Sequence, residues 1–204
     1  MFTRRCTQRQ FLLRPDPETN QIVQYCLAVM AARYGMQLHA LYVASNHYHL
    51  VATDTRGEYP LFLRDFHALV ARAVNAHRGR WESLWTASAQ TSVVHLVDRA
   101  AVFAKALYTI TNAVKDFLVT RVLCWPGVCS WPMMLHKKSR RIARPRRFFG
   151  LRSKLPKNVT LRFVLPPQWE SWDRWRDRLK QHVNEVETAT AKKREAEKLS
   201  LIHI

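Results

Sequence analysis

The chain has no acidic residue between Phe117 and Trp169. Over the same stretch it holds Arg121, Lys137, Lys138, Arg140, Arg141, Arg144, Arg146, Arg147, Arg152, Lys154, Lys157 and Arg162, which supply two-thirds of a formal net charge of +18. With no acid nearby to neutralise it, this stretch calls for a polyanion as partner, nucleic acid first and an anionic membrane surface as the alternative. The density of "KKSRRIARPRR" exceeds what solubility requires, and counterion release favours it on DNA; the plainer reading is a solvated basic tail. Other absences narrow the field. No run is long or apolar enough to span a bilayer. "MFTRRCTQRQ" has no apolar signal-peptide region. The four cysteines are scattered, and Cys124 and Cys129 lack a second pair that would complete a zinc site. These features lead to the expectation of a reduced, cytoplasmic protein.

What is present is enough for a core: 48% of the 204 residues are hydrophobic, which suits one domain plus an appendage. "FTRRC" reads as a short strand and "RPDPETN" as a loop. Glu18 to Tyr34 has a helical apolar period that Gly35 stops. "MQLHALYV" and "HYHLVAT", joined by "ASN", form a hairpin. Leu61 to His77 is a second amphipathic helix, "ASAQTSVVHL" another strand, and Asp98 to Leu118 a third helix with Asp98 as N-cap. The expected fold is α+β. It has a ferredoxin-like βαββαβ antiparallel sheet with helices on one face, then a tyrosine-bearing helix and a basic C-terminal extension. The boundary is drawn at residue 132, so that 1–132 is one domain and 133–204 an extension with a helix at about 170–199.

In "VASNHYHLVAT", His47 and His49 lie two apart on a strand and so share one face, while Tyr48, Leu50 and Ala52 face the core. Two imidazoles on a rigid strand are ready metal ligands; two ordinary surface histidines would look the same. In "KALYTITNAVKD", Tyr108 and Asn112 are spaced i, i+4 and share a helix face with Lys105 and Lys115. Leu107, Ile110, Val114 and Phe117 make the apolar stripe. A half-buried aromatic with a wet hydroxyl is the bland alternative for Tyr108.

"SNHYHLV" resembles the His–hydrophobic–His motif of the single-tyrosine HUH endonucleases. "TRRCTQRQFLLRP", "ARAVNAHRGR…LW" and "YTITNAVKDFLV…CWPGVCSW" resemble, in order, segments of one branch, the REP-associated tyrosine transposases. The resemblance covers residues 2 to 132. It implies that His47, His49 and Asn112 hold a divalent metal, Mg²⁺ or Mn²⁺, and that Tyr108 attacks DNA to form a 5′-phosphotyrosine. Where the family usually has Asn-Pro after the tyrosine turn, this chain has Asn112-Ala113. The implied activity is metal-dependent cleavage and rejoining of hairpin-forming single-stranded DNA, in a bacterial cell and on the nucleoid when bound, by a monomer or homodimer without a membrane partner. Lys105 and Lys115 either favour the phenolate or hold the phosphate. Lys137, Lys138, Arg140, Arg141, Arg144, Arg146 and Arg147 are the expected DNA contacts of the extension. The rival readings are a non-catalytic structured-nucleic-acid-binding module of the same fold, and a replication initiator or relaxase.

Overall fold

The order of elements in the computed structural model follows the hydropathy pattern closely. It describes residues 1–87, 90–146, 148–150, 153–198 and 200–201. The elements are β1 (Phe2–Arg5), α1 (Pro17–Tyr34), β2 (Met36–Val43), β3 (His47–Asp54), α2 (Tyr59–Arg78), β4 (Ser92–Val93), α3 (Arg99–Lys115), α4 (Trp131–Leu135), β5 (Arg140–Ala143), β6 (Asn158–Leu161) and α5 (Trp172–Ala196). The four-stranded sheet has the order β2-β3-β1-β4, with every neighbouring pair antiparallel. This is the ferredoxin-like arrangement expected from the sequence.

Local chemistry sets the ends of the helices. Asp16 caps α1 by accepting from the Thr19 backbone N–H at 2.7 Å, and Gly35 closes it at φ 65°, the left-handed conformation that glycine adopts without a Cβ penalty. Asp98 caps α3 through the Ala101 N–H at 2.7 Å. The third helix stops at Lys115, three residues short of the expected Leu118, because Phe117 turns into the left-handed region at φ 55°.

Strand alternation places α2 and α3 on opposite faces of the sheet. Tyr48 packs its ring edge-on to Phe66 of α2, whereas its neighbour His49 meets Tyr108 of α3. The fourth strand is much shorter than "ASAQTSVVHL" suggested. Among the described residues only Ser92 and Val93 pair as a strand, with Thr3 and Phe2, and the Val94 N–H beyond them donates to the Met1 carbonyl. Residues 88 and 89 of that expected strand lie outside the described residues.

Beyond residue 132, the boundary expected from the sequence, the chain goes on packing against the same core. Ile142, Phe149, Leu161, Phe163, Trp169, Trp175, Leu179 and Val183 are buried in the same core as the sheet and α1, and full burial of a large apolar side chain is worth about 1.5–3 kcal/mol. The β5–β6 hairpin covers the outer side of α1, where Gln21 donates to the Ala143 carbonyl and Tyr25 to that of Pro156. The helix expected at 170–199 is α5, capped by Ser171. It lies along α3 in the same direction: Phe103 meets Trp175 and His182, and Lys193 lies over Phe117.

The outer edge of β2 is also covered from within the chain. Val43 N–H donates to Val128 and Ser130 N–H to Leu41, and further along Val164 N–H donates to Leu38. Gly127 permits the first of these crossings, since a Cβ there would collide with the Trp125 indole and Pro15. Trp125 and Trp131 are both buried.

Candidate active site

His47 and His49 project from β3 towards α3. Their Nε2 atoms lie 3.1 Å apart, and each Nδ1 is held from behind. Asn46 donates its amide to the Arg9 carbonyl at 3.2 Å, which leaves its Oδ1 to accept from His47 Nδ1 at 2.7 Å. The His47 Nε2 lone pair is thereby free. His49 Nδ1 sits 2.8 Å from the Thr3 hydroxyl on the adjacent β1. When Thr3 accepts from Nδ1, both Nε2 atoms carry free lone pairs, 3.1 Å apart.

Burial is the main reason that both rings are neutral near pH 7. Desolvation pushes His47 down to about 4, with the Arg5 guanidinium adding to it. Desolvation, then His47 and the cations Arg5 and Lys105, push His49 down to about 3. A neutral imidazole is the form that ligates a metal.

Tyr108 stands beside this pair, its ring centroid 5.2 Å from that of His49. Lys105 Nζ and Lys115 Nζ flank it at 5.7 and 5.6 Å from the ring centroid. At 36% exposure it is the most accessible of the tyrosines whose burial decides the question: Tyr25, Tyr34, Tyr42 and Tyr48 are all buried. Tyr42 belongs to the same face, since it pairs with His49 across β2 and β3. Burial raises its hydroxyl far above the ordinary value, so it stays protonated. Asn112, one turn beyond Tyr108, is 4% exposed, and its Oδ1 is buried without a hydrogen-bond partner among the described residues.

These residues fit a divalent cation. Ligands at about 2.1 Å from a metal and at right angles to one another are about 3 Å apart, which is the separation of the two Nε2 atoms. The orphaned Asn112 Oδ1 offers a hard oxygen to the same helix–strand junction. Thr3 and Asn46 supply the outer hydrogen bonds that fix ring orientation in such sites. Sequence reasoning missed both. The signal was available, since Asn46 directly precedes the first histidine and Thr3 alternates onto the same face as its cross-strand partner His49.

The cations of the expected extension are not gathered at Tyr108. Lys137, Lys138, Arg140, Arg141 and Arg146 are exposed around the β5–β6 hairpin, which packs on α1. Arg140 and Arg141 line a cleft of about 520 Å³ between α1 and the 126–133 loop, and Tyr108 is not part of its lining. Arg144, an expected DNA contact, is half-buried and donates through Nη1 to the carbonyls of Ser153 and Leu155 at 3.0 and 2.6 Å. Arg147 lies outside the described residues. No helix among the described residues is long and apolar enough to cross a membrane.

No family model matches the sequence, and no curated protein matches it. Among solved structures the chain is similar to a REP-associated tyrosine transposase bound to a REP hairpin, with a TM-score of 0.53 and 16% identity over 67% of this chain and 78% of that one. At that identity the likeness establishes the fold.

Proposed function

We propose that this chain is a single-tyrosine transposase of the REP-associated kind, cutting and rejoining single-stranded DNA beside a hairpin. The observation that carries this reading is the meeting of Tyr108 with His49 at 5.2 Å, between two lysines and next to two convergent imidazole nitrogens. The likeness to a hairpin-bound transposase supports it, as does the charge of +18.

In this reading the Tyr108 hydroxyl oxygen attacks a backbone phosphorus. A phosphotyrosine bond forms to the 5′-phosphate side, the phosphorus–oxygen bond on the other side breaks, and a 3′-hydroxyl leaves. Attack by a 3′-hydroxyl on the phosphotyrosine reverses the step with no energy source, because one ester replaces another. Lys105 and Lys115 hold the phosphate against the tyrosine and offset negative charge as the phosphorus is attacked. His47, His49 and Asn112 would hold Mg²⁺ or Mn²⁺, which when bound polarises a phosphate oxygen. Thr3 and Asn46 keep the two rings in register. Tyr42 is protonated and fully buried, so it does not compete as nucleophile.

The test is covalent capture. A single-stranded oligonucleotide labelled 3′ of the cut should become attached to the protein and survive denaturation. Tyr108→Phe should eliminate the adduct while leaving the melting temperature and hairpin affinity near those of the parent. An adduct that persists in that variant, or that maps to another residue, overturns the assignment.

A further inference from the structure

Two large aromatic side chains stand in solvent on the side of the molecule from which His47 is held. Phe11 is 56% exposed and Trp81 88%. Exposed aromatic faces set in a cationic surface are the surface on which unpaired bases stack. Their backbones are not loose. The segment carrying Phe11 and the segment carrying Trp81 run side by side and are tied at both ends. At one end Arg78 donates to the carbonyls of Leu12 and Arg14 at 3.2 and 3.1 Å. At the other, Thr7 N–H donates to Leu84 at 2.9 Å and Thr86 N–H to Arg5 at 3.1 Å. Each segment presents one aromatic outward from this tied pair.

The first segment is also tied to the reaction centre. Leu13 N–H donates to Ser45, Cys6 N–H to Asn46, and the Asn46 side chain bridges the Arg9 carbonyl to His47 Nδ1. Gln8 and Arg9 are both held at positive φ, 49° and 55°, a conformation that costs a non-glycine residue about 1 kcal/mol or more. The surroundings are cationic. Arg5, Arg9 and Arg14 are exposed, residues 3–14 contain no acid, and the nearby Glu82 is occupied by Arg80.

We propose that Phe11 and Trp81 form a stacking platform for unpaired bases, with Arg5, Arg9 and Arg14 following the phosphates, and that it leads the single strand from the hairpin towards His47 and Tyr108. The occupant is single-stranded DNA, argued from the combination of flat aromatic surface and uncompensated positive charge. Double-stranded DNA buries its base faces and offers the aromatics nothing. The inference rests on the substrate proposed above and adds where the unpaired tail lies and which residues grip it. Asn46 makes the platform a positioning device as well: shifting the Arg9 carbonyl shifts the partner that fixes the His47 ring.

The experiment uses Tyr108→Phe protein, which holds DNA without cutting it, and a hairpin with unpaired tails carrying 2-aminopurine at successive positions. A stacked 2-aminopurine is quenched. Quenching is expected at one or two tail positions, and should be relieved by Phe11→Ala or Trp81→Ala. Each change should weaken affinity for the tailed hairpin by about tenfold, the size of one lost base–aromatic stack, without altering affinity for a blunt hairpin. Trp81→Phe should restore most of the quenching. Unchanged quenching and affinity in both alanine variants overturns the platform while leaving the transposase reading standing, and an equal loss on the blunt hairpin overturns it too. A parent protein that binds neither DNA overturns both.

Discussion

Tyr48 and His49 are neighbours on one strand, yet they belong to two chemically different interiors. On the α2 face, Tyr48 meets His67, whose two ring nitrogens are both engaged, by the Tyr48 hydroxyl at 2.6 Å and the Arg4 guanidinium at 2.8 Å. Trp85 donates to the His67 carbonyl. On the α3 face, His47 and His49 each have one nitrogen anchored and the other aimed at its twin, and the Asn112 and Tyr42 side-chain oxygens are buried without hydrogen-bond partners among the described residues. Burial lowers His67 to about 3, as it does His49. A depressed pKa therefore does not separate a structural histidine from a functional one here. Closure around the ring does: His67 has both nitrogens partnered, whereas His47 and His49 each keep one nitrogen facing only the other at 3.1 Å.

The sharpest way to break this contrast is to delete one histidine from each face. His49→Ala should abolish DNA cleavage and leave hairpin affinity nearly intact, since phosphate contacts supply the affinity. His67→Ala should keep cleavage and lower unfolding free energy by about 1–3 kcal/mol, the penalty for leaving its partners unsatisfied, read by urea denaturation. The opposite pattern would erase the distinction between the faces.

Leu179→Ala probes the cover on α3. If α5 belongs to the common core, the whole protein should lose about 2–5 kcal/mol in one cooperative transition; an independent appendage would leave the main transition unmoved. Asn46→Ala sharpens the contrast more finely. Freeing His47 Nδ1 should reduce metal affinity, by calorimetry, about 10- to 100-fold with little change in melting temperature.

Acid should act on stability through the buried histidines of both faces. His39, lowered to about 4 by burial, and His67 take up protons more readily unfolded, at the ordinary value of about 6.5, than folded. Their contribution to stability is thus fully present above pH ~6.5 and is lost progressively as pH falls towards ~4. A urea midpoint that stays flat over that window would show that these rings are not held neutral by the fold. The smallest effect is expected far from both faces. Arg140→Gln and Arg141→Gln should each reduce the slope of log affinity against log salt by about 1 only if that hairpin touches phosphate.

The sheet and the candidate site were legible in the sequence for the same reason: both depend on short-range periodicity. Alternation put His47 and His49 on one side of a strand, and the i, i+4 spacing put Tyr108 over Asn112, without any tertiary information. What it hid was long-range. Nothing local says that Phe149, Trp175 and Leu179 pack into the core begun by α1, since a charged amphipathic helix has the same pattern whether its apolar stripe meets a distant helix or a partner. The charge pattern is ambiguous for a related reason. A run of arginines reads as an arm, whereas the apolar residues between them, Ile142, Phe149 and Leu161, decide where it folds. Arg144 serves carbonyls of its own hairpin, and charge alone cannot distinguish that from a phosphate contact.

The parallel seating of α5 along α3 has a consequence for choreography. The tyrosine helix is gripped by the sheet along one side and by α5 along another, from Phe103 near its start to Phe117 just past its end. Under the proposed mechanism, a nucleophile mounted on such a braced rod would stay at the address where it first acts. A DNA end joined to Tyr108 would then be a parked end, and any exchange of partners would fall to the free 3′-hydroxyl, swapped for another while the protein holds still.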